Sequence, residues 1–250
     1  AENQLLNPWA GGLNSGQYNK MDVNNDQIED LVVFDRTSGR ISVYVVDEEQ
    51  QYVFDPSFAE VFPTDINNWM LLRDFNCDGL KDIFTSDPFG IRVYVNISDQ
   101  NTIKWRLFND RGTGVSPLLS KGFSDNPINL QLNASDLPAI DDLDNDGDLD
   151  ILVFRFSSEA TIEFHKNLSI ENENNCDSLQ YGRVTQKYGN LEECGCGEYA
   201  FDNDSCPEIG GGRQEHQSGK SITTLDIDGD GDKELLIGEE ECALISLLPN

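Results

Sequence analysis

Short apolar runs punctuate the chain: Leu31-Val-Val-Phe34, Ile83-Phe-Thr85, Ile151-Leu-Val-Phe154 and Leu235-Leu-Ile237. Their length and β-branched content predict buried strands. Each follows a lead-in segment: Tyr18 to Met21, Trp69 to Arg73, Leu137 to Ile140, Ser221 to Leu225. Each is followed in turn by a returning segment: Arg40 to Val46, Ile91 to Asn96, Thr161 to Lys166, Cys242 to Leu248. Ile41-Ser-Val-Tyr-Val and Ile91-Arg-Val-Tyr-Val alternate as half-buried strands do. Thr37-Ser-Gly39 and Asp87-Pro-Phe-Gly90 supply turns. A helical period is missing throughout, so the chain reads as all-β.

Between lead-in and buried strand lies an acidic stretch, always in one frame. The copies are Asp22-Val-Asn24-Asn-Asp26-Gln-Ile28-Glu-Asp30, Asp74-Phe-Asn76-Cys-Asp78-Gly-Leu80-Lys-Asp82, Asp142-Leu-Asp144-Asn-Asp146-Gly-Asp148-Leu-Asp150 and Asp226-Ile-Asp228-Gly-Asp230-Gly-Asp232-Lys-Glu234. Oxygen side chains at positions 1, 3, 5 and 9 describe a cage for a hard cation, and calcium suits such flexible all-oxygen sites. Position 7 (Ile28, Leu80, Asp148, Asp232) would add its backbone carbonyl, giving up to four Ca2+ sites. An EF-hand would need an acid at position 12, where Val33, Thr85, Val153 and Ile237 stand instead. Solvated acidic turns are the plainer alternative, since Asp, Asn and Gly are ordinary turn formers. Four copies in one frame argue against it. Loop 1 has Gln27 where the others have Gly79, Gly147 and Gly231, so a strained or differently shaped turn is expected there, and loop 1 should lose its ion before loop 3. Loop 4 closes with the longer Glu234.

The loops start 52, 68 and 84 residues apart. A fixed multi-strand grammar at this period points to a propeller or related radial array. The widening spacing places insertions at 109–133 and 167–219 within a single 1–250 propeller portion, the second holding Cys176, Cys194, Cys196 and Cys206.

Composition adds limits. A hydrophobic fraction of 38% with 13 Phe can support a core, and the net charge of −29 argues against nucleic-acid or anionic-lipid partners. No apolar run approaches a membrane span. Six cysteines in so acidic a chain suggest disulfides, with fifteen possible pairings. A zinc site of Cys176, Cys194, Cys196, Cys206 and His216 is the alternative, although C-x-C is not the usual ligand spacing. A Cys77–Cys242 pairing is also conceivable. The two histidines are His165 and His216, and His165 is expected on a solvated strand face.

The four loops, each followed by an apolar strand and a turn, resemble FG-GAP/VCBS repeats, the calcium-binding blades of integrin-like β-propellers. Phrases such as Leu31-Val-Val-Phe-Asp-Arg36 and Gly90-Ile-Arg-Val-Tyr94 are similar to secreted proteins of Bacteroidetes-type bacteria, which often end in a type IX secretion sorting domain. The resemblance implies roughly seven blades. Four loops supply too few, so this chain is expected to continue beyond Asn250 as part of a larger ring, and the strand near Ala243 to Leu248 to present an open edge.

The resulting expectation is a non-enzymatic, calcium-stabilised propeller, secreted or on a cell surface, acting as a binding or adhesion scaffold. Its partners would be an unknown protein or glycan ligand and, during export, secretion translocon components. A propeller polysaccharide lyase, or another carbohydrate-active enzyme, is the alternative. It would need a base and a charge neutraliser in one cleft, such as a pocket joining His165 or His216 to Arg or Lys. No nucleophile elbow or phosphate loop is present, and no catalytic residue is assigned.

Overall fold

A computed structural model describes residues 7, 10–109, 117–122, 124, 126–158, 160–202, 204–207, 219–240 and 242–249. The acidic frame sets the strand pairing. Position 1 of each loop follows the end of one strand and position 9 opens the next, so each loop closes an antiparallel hairpin. The flanking partners are Met21 with Asp30, Arg73 with Asp82, Asp141 with Asp150, and Leu225 with Glu234.

The chain divides into two compact units, Ala1–Asp87 with Arg92–Ser116, and Pro88–Ile91 with Pro117–Asn250. The first holds two four-stranded antiparallel sheets whose strands follow chain order. One comprises β1 (Gly16–Met21), β2 (Asp30–Asp35), β3 (Arg40–Val46) and β4 (Tyr52–Phe54). The other comprises β5 (Met70–Arg73), β6 (Asp82–Asp87), β7 (Gly90–Asn96) and β8 (Trp105–Leu107). Such short meanders are β-propeller blades in build, and the fold is all-β with propeller-type sheets.

Val32, Phe34 and Val43 from the first sheet share a core with Met70, Leu72 and Ile83 from the second. Buried Asn19 on β1 ties the two together, donating to the Met70 carbonyl at 3.2 Å and accepting from Leu72 N–H at 3.0 Å. It satisfies backbone groups of β5 that a purely apolar contact would leave without partners.

The second unit is less regular. Its largest sheet runs β10-β9-β14-β13-β12-β11, from β9 (Leu119–Lys121), β10 (Pro127–Asn129), β11 (Ala139–Asp141), β12 (Asp150–Phe154), β13 (Ile162–Asn167) and β14 (Tyr181–Thr185). A hairpin of β15 (Leu191–Gly195) and β16 (Glu198–Phe201) follows, then a sheet of β17 (Lys220–Leu225), β18 (Glu234–Glu239) and β19 (Ile245–Leu248). Segments 109–133 and 167–219 supply strands here: β14 pairs with β13, and β9 pairs with β14 in parallel. A short α-helix, α1 (Ser169–Glu173), follows β13. β19 is the outer strand of its sheet, with Ile245 and Leu247 exposed.

The structure corrects three expectations. His165 is buried, 4% exposed, because β14 and β9 extend the sheet beside β13, and side chains on that face, Ser120 and Glu163 among them, close around the ring. Cys242 pairs with Cys196 rather than Cys77, and Cys194 pairs with Cys206. These bonds occupy three of the thiols that a zinc site would need, and no described cysteine is free. His216 lies outside the described residues. Disulfides persist in oxidising environments, and these pairs point to one. Among the described residues no helix is long and apolar enough to cross a membrane.

Candidate functional site

The four acidic loops share one hydrogen-bonding scheme. The position-6 N–H donates to the position-1 carboxylate in every copy: Gln27 to Asp22 (2.8 Å), Gly79 to Asp74 (2.9 Å), Gly147 to Asp142 (3.1 Å) and Gly231 to Asp226 (3.2 Å). The position-7 N–H donates to the position-5 carboxylate: Ile28 to Asp26, Leu80 to Asp78, Asp148 to Asp146 and Asp232 to Asp230, at 2.8 to 3.1 Å. These bonds hold the first and fifth side chains over the turn. In loops 3 and 4 the carboxylate oxygens of Asp142, Asp144 and Asp146, and of Asp226, Asp228 and Asp230, lie within 4.8 Å of one another. In loops 1 and 2 the position-3 residue is Asn24 or Asn76, whose amide donates to Asp26 (2.9 Å) or Asp78 (3.0 Å).

Backbone conformation carries the rest. Position 6 is left-handed in all copies, with φ of 70° at Gln27, 86° at Gly79, 105° at Gly147 and 97° at Gly231. Gln27 thus adopts the same turn as the glycines, at the conformational cost of carrying a Cβ there. Position 4 is left-handed as well, at Asn25, Cys77, Asn145 and Gly229. The Asn and Gly at three of these positions were the sequence signal for it.

Position 9 has a second task. Asp30, Asp82, Asp150 and Glu234 are buried. Each accepts the N–H of position 2: Val23 at 3.0 Å, Phe75 at 3.1 Å, Leu143 at 3.2 Å and Ile227 at 2.7 Å. The three aspartates also accept the last N–H of the returning strand, from Val46 (2.8 Å), Asn96 (2.7 Å) and Asn167 (2.9 Å). One carboxylate therefore clips the loop's start to the third strand of its sheet. Burial pushes Asp82 and Asp150 up to about 7 against these bonds, with the neighbouring loop carboxylates adding to the rise.

No family model matches the chain, and no curated protein matches it. Among solved structures, a lectin of Agrocybe aegerita, described as recognising non-reducing terminal N-acetylglucosamine, aligns with TM-score 0.42 and 14% identity over 89% of this chain. The chain spans about half of that structure's length, 47%.

The donor set fits a hard divalent cation. It consists of carboxylates and amides with carbonyls at position 7, and buried Asp74 Oδ1 has no hydrogen-bond partner. When bound, the ion would supply the positive charge that gathers the loop, held by Asp22, Asn24, Asp26 and Asp30 in the first copy and their counterparts in the others.

Loop 3 differs in ways the sequence pattern did not reveal. Lys166, at the end of β13, reaches Asp144, Asp146 and Glu171. Those hydrogen bonds outweigh its partial burial and raise its pKa above the ordinary lysine value. Asp148 is 1% exposed, its carboxylate accepts Ile170 N–H of α1 at 3.0 Å, and it forms with Asp146 and Glu171 a second carboxylate group within 4.8 Å.

His165 belongs to a separate site. Its Nδ1 lies 2.8 Å from Ser120 Oγ and its Nε2 lies 3.2 Å from Glu163 Oε2. Glu163 also accepts from Arg183 (3.3 Å) and Gln186 (3.0 Å). Burial opposes ionisation of Glu163, but His165 and Arg183 outweigh it and hold the carboxyl below its usual range. Burial keeps His165 below its usual value, hence neutral at pH 7, despite Glu163. These residues line a cleft of about 160 Å³ that also includes Arg155, Phe156, Ile128, Asn129 and Gln131.

Proposed function

We propose that the chain is a calcium-stabilised extracellular binding module built from FG-GAP/VCBS-type blades and exported by a bacterial secretion system of the type IX kind. The observation carrying this reading is the shared hydrogen-bonding scheme, which draws oxygen ligands together in each of four loops. Without a cation, three carboxylates within 4.8 Å repel one another and oppose the hairpin. A cation removes that repulsion and fixes the turn from which the buried strand takes its register. Calcium modules outside cells bind at roughly 10⁻⁴–10⁻³ M, so the loops would fill on export. A groove of about 600 Å³ in the first unit, bordered by Asp22 to Asn25, Gly79, Leu80 and Ser98 to Ile103, offers a surface for a protein or glycan partner.

The enzyme reading has one observation in its favour, the cleft that joins His165 to Arg155 and Arg183. Both ring nitrogens of His165 are occupied within the chain, and the Glu163 carboxylate is engaged by His165, Arg183 and Gln186. The geometry favours binding over proton abstraction.

Calcium calorimetry on the full chain tests the proposal. Saturable uptake at millimolar calcium or below is expected, with Asp146→Ala and Asp26→Ala each removing one site. Lys166→Met should tighten loop 3, because it removes the competing cation. Absence of saturable uptake, or wild-type stoichiometry in both alanine variants, would contradict the assignment.

A further inference from the structure

The cleft around His165 has a charge unlike the rest of the molecule. Arg155 and Arg183 carry two positive charges, Glu163 one negative charge, and His165 none, which leaves +1 in a chain of net −29. The two arginines are not equivalent. Arg183 hydrogen-bonds Glu163 and its side chain is 14% exposed. Arg155 is 38% exposed and approaches Glu163 only as an ion pair, with Nε 3.8 Å from Oε1. Its guanidinium makes no hydrogen bond to another described residue. The Ser120–His165–Glu163–Arg183 network is therefore a buried frame, and Arg155 is a partly exposed cation that lines the cleft beside it.

The walls narrow the ligand class. Ile128 and Phe156 are 56% and 53% exposed, an apolar ledge beside the guanidinium. Asn129 and Gln131 add amide groups that make no side-chain hydrogen bond to other described residues. A flat apolar surface, convergent amides and one planar cation suit a hydroxyl-rich ring bearing a single negative charge. A guanidinium fork matches a carboxylate bidentately. A dianion would be over-charged for a +1 site embedded in so acidic a molecule.

We propose that this cleft binds an acidic sugar, with Arg155 anchoring its carboxylate and Phe156 packing against its ring. The proposal rests on reading the chain as a binding module, and gives that module a site remote in composition from the acidic loops. Arg155 acts through the ligand's charge, while His165 and Glu163 position Arg183 and the cleft wall.

The test is calorimetry of the full chain in calcium buffer with glucuronate and galacturonate oligosaccharides, their methyl esters, and a sulfated neutral oligosaccharide. Uronate binding is expected to saturate, and to weaken at least tenfold on methyl esterification, which keeps the ring and removes the charge. Arg155→Ala should weaken it roughly 10- to 100-fold, the effect of losing a charge-assisted hydrogen bond. Arg155→Lys should recover part of the loss, and Phe156→Ala should also weaken binding. Arg106→Ala, an exposed cation of the first unit, should have no effect. An unchanged melting temperature and unchanged calcium uptake in Arg155→Ala would show that the fold and loops are intact. Equal binding of acid and ester, wild-type affinity in Arg155→Ala, binding of the sulfated sugar alone, or no saturable uronate binding would each overturn the site. Calcium uptake in that same preparation would leave the calcium reading standing.

Discussion

Replacing Glu193 by Ala is expected to destabilise the second unit by roughly 3 kcal/mol, the cost of breaking a buried ion pair. Lys220 and Glu193 are 1% and 3% exposed and hydrogen-bond one another, joining β17 to β15. The Lys220 ammonium also lies 4.9 Å from the centre of the Phe154 ring. Burial raises the Glu193 carboxyl despite Lys220, and its second oxygen has no hydrogen-bond partner. The pair is thus expensive to bury and more expensive to split. Thermal unfolding of Glu193→Ala, Lys220→Met and the double variant forms the appropriate cycle. The double variant should recover most of the loss, because two apolar side chains leave no charge in the interior. Single variants as stable as wild type would contradict the role given to this pair.

The second large effect is expected at position 9 of loop 2. Asp82→Ala removes the acceptor of two buried N–H groups, Phe75 and Asn96. Each buried donor left without a partner costs about 1–3 kcal/mol, so a loss of roughly 2–5 kcal/mol is expected. This loss should persist in a chelator, because the clip between loop and returning strand needs no ion. Asp78→Ala is the contrast. Its exposed carboxylate accepts Leu80 N–H at 2.8 Å, and its removal should matter chiefly when calcium is present. Denaturant unfolding of both variants, with and without chelator, separates the two roles. If Asp82→Ala costs nothing in chelator, position 9 is no strut.

The nine-residue frame made most of the fold legible. Position 1 ends a strand and position 9 begins one, so the pairings of Met21 with Asp30 and Leu225 with Glu234 followed from the acids alone. The turn at position 6 was legible too, and Gln27 adopts it without a glycine. What stayed hidden depends on pairing between distant segments. His165 looked solvated because Glu163-Phe-His-Lys166 alternates, and nothing local announces that β14 and β9 join the sheet beside it and bring Ser120 to its ring. Those strands come from stretches rich in Gly, Ser and Asn, whose weak apolar patterns resemble loops. The reach of Lys166 into loop 3 was hidden for a related reason. A register position shows which strand a lysine occupies, but not which loop its flexible stem can span. Cysteine pairing is a third case, since spacing alone could not join Cys196 to Cys242 across 46 residues.

Thermal unfolding of the full chain, in millimolar calcium and again after chelation, tests the central claim most directly. At about ten times the dissociation constant each filled site adds roughly 1.4 kcal/mol, so several sites together rival the stability of an ordinary domain. The melting temperature is therefore expected to fall by many degrees on chelation and to recover when calcium, but not sodium, is restored. An identical melting temperature in both states would contradict the account.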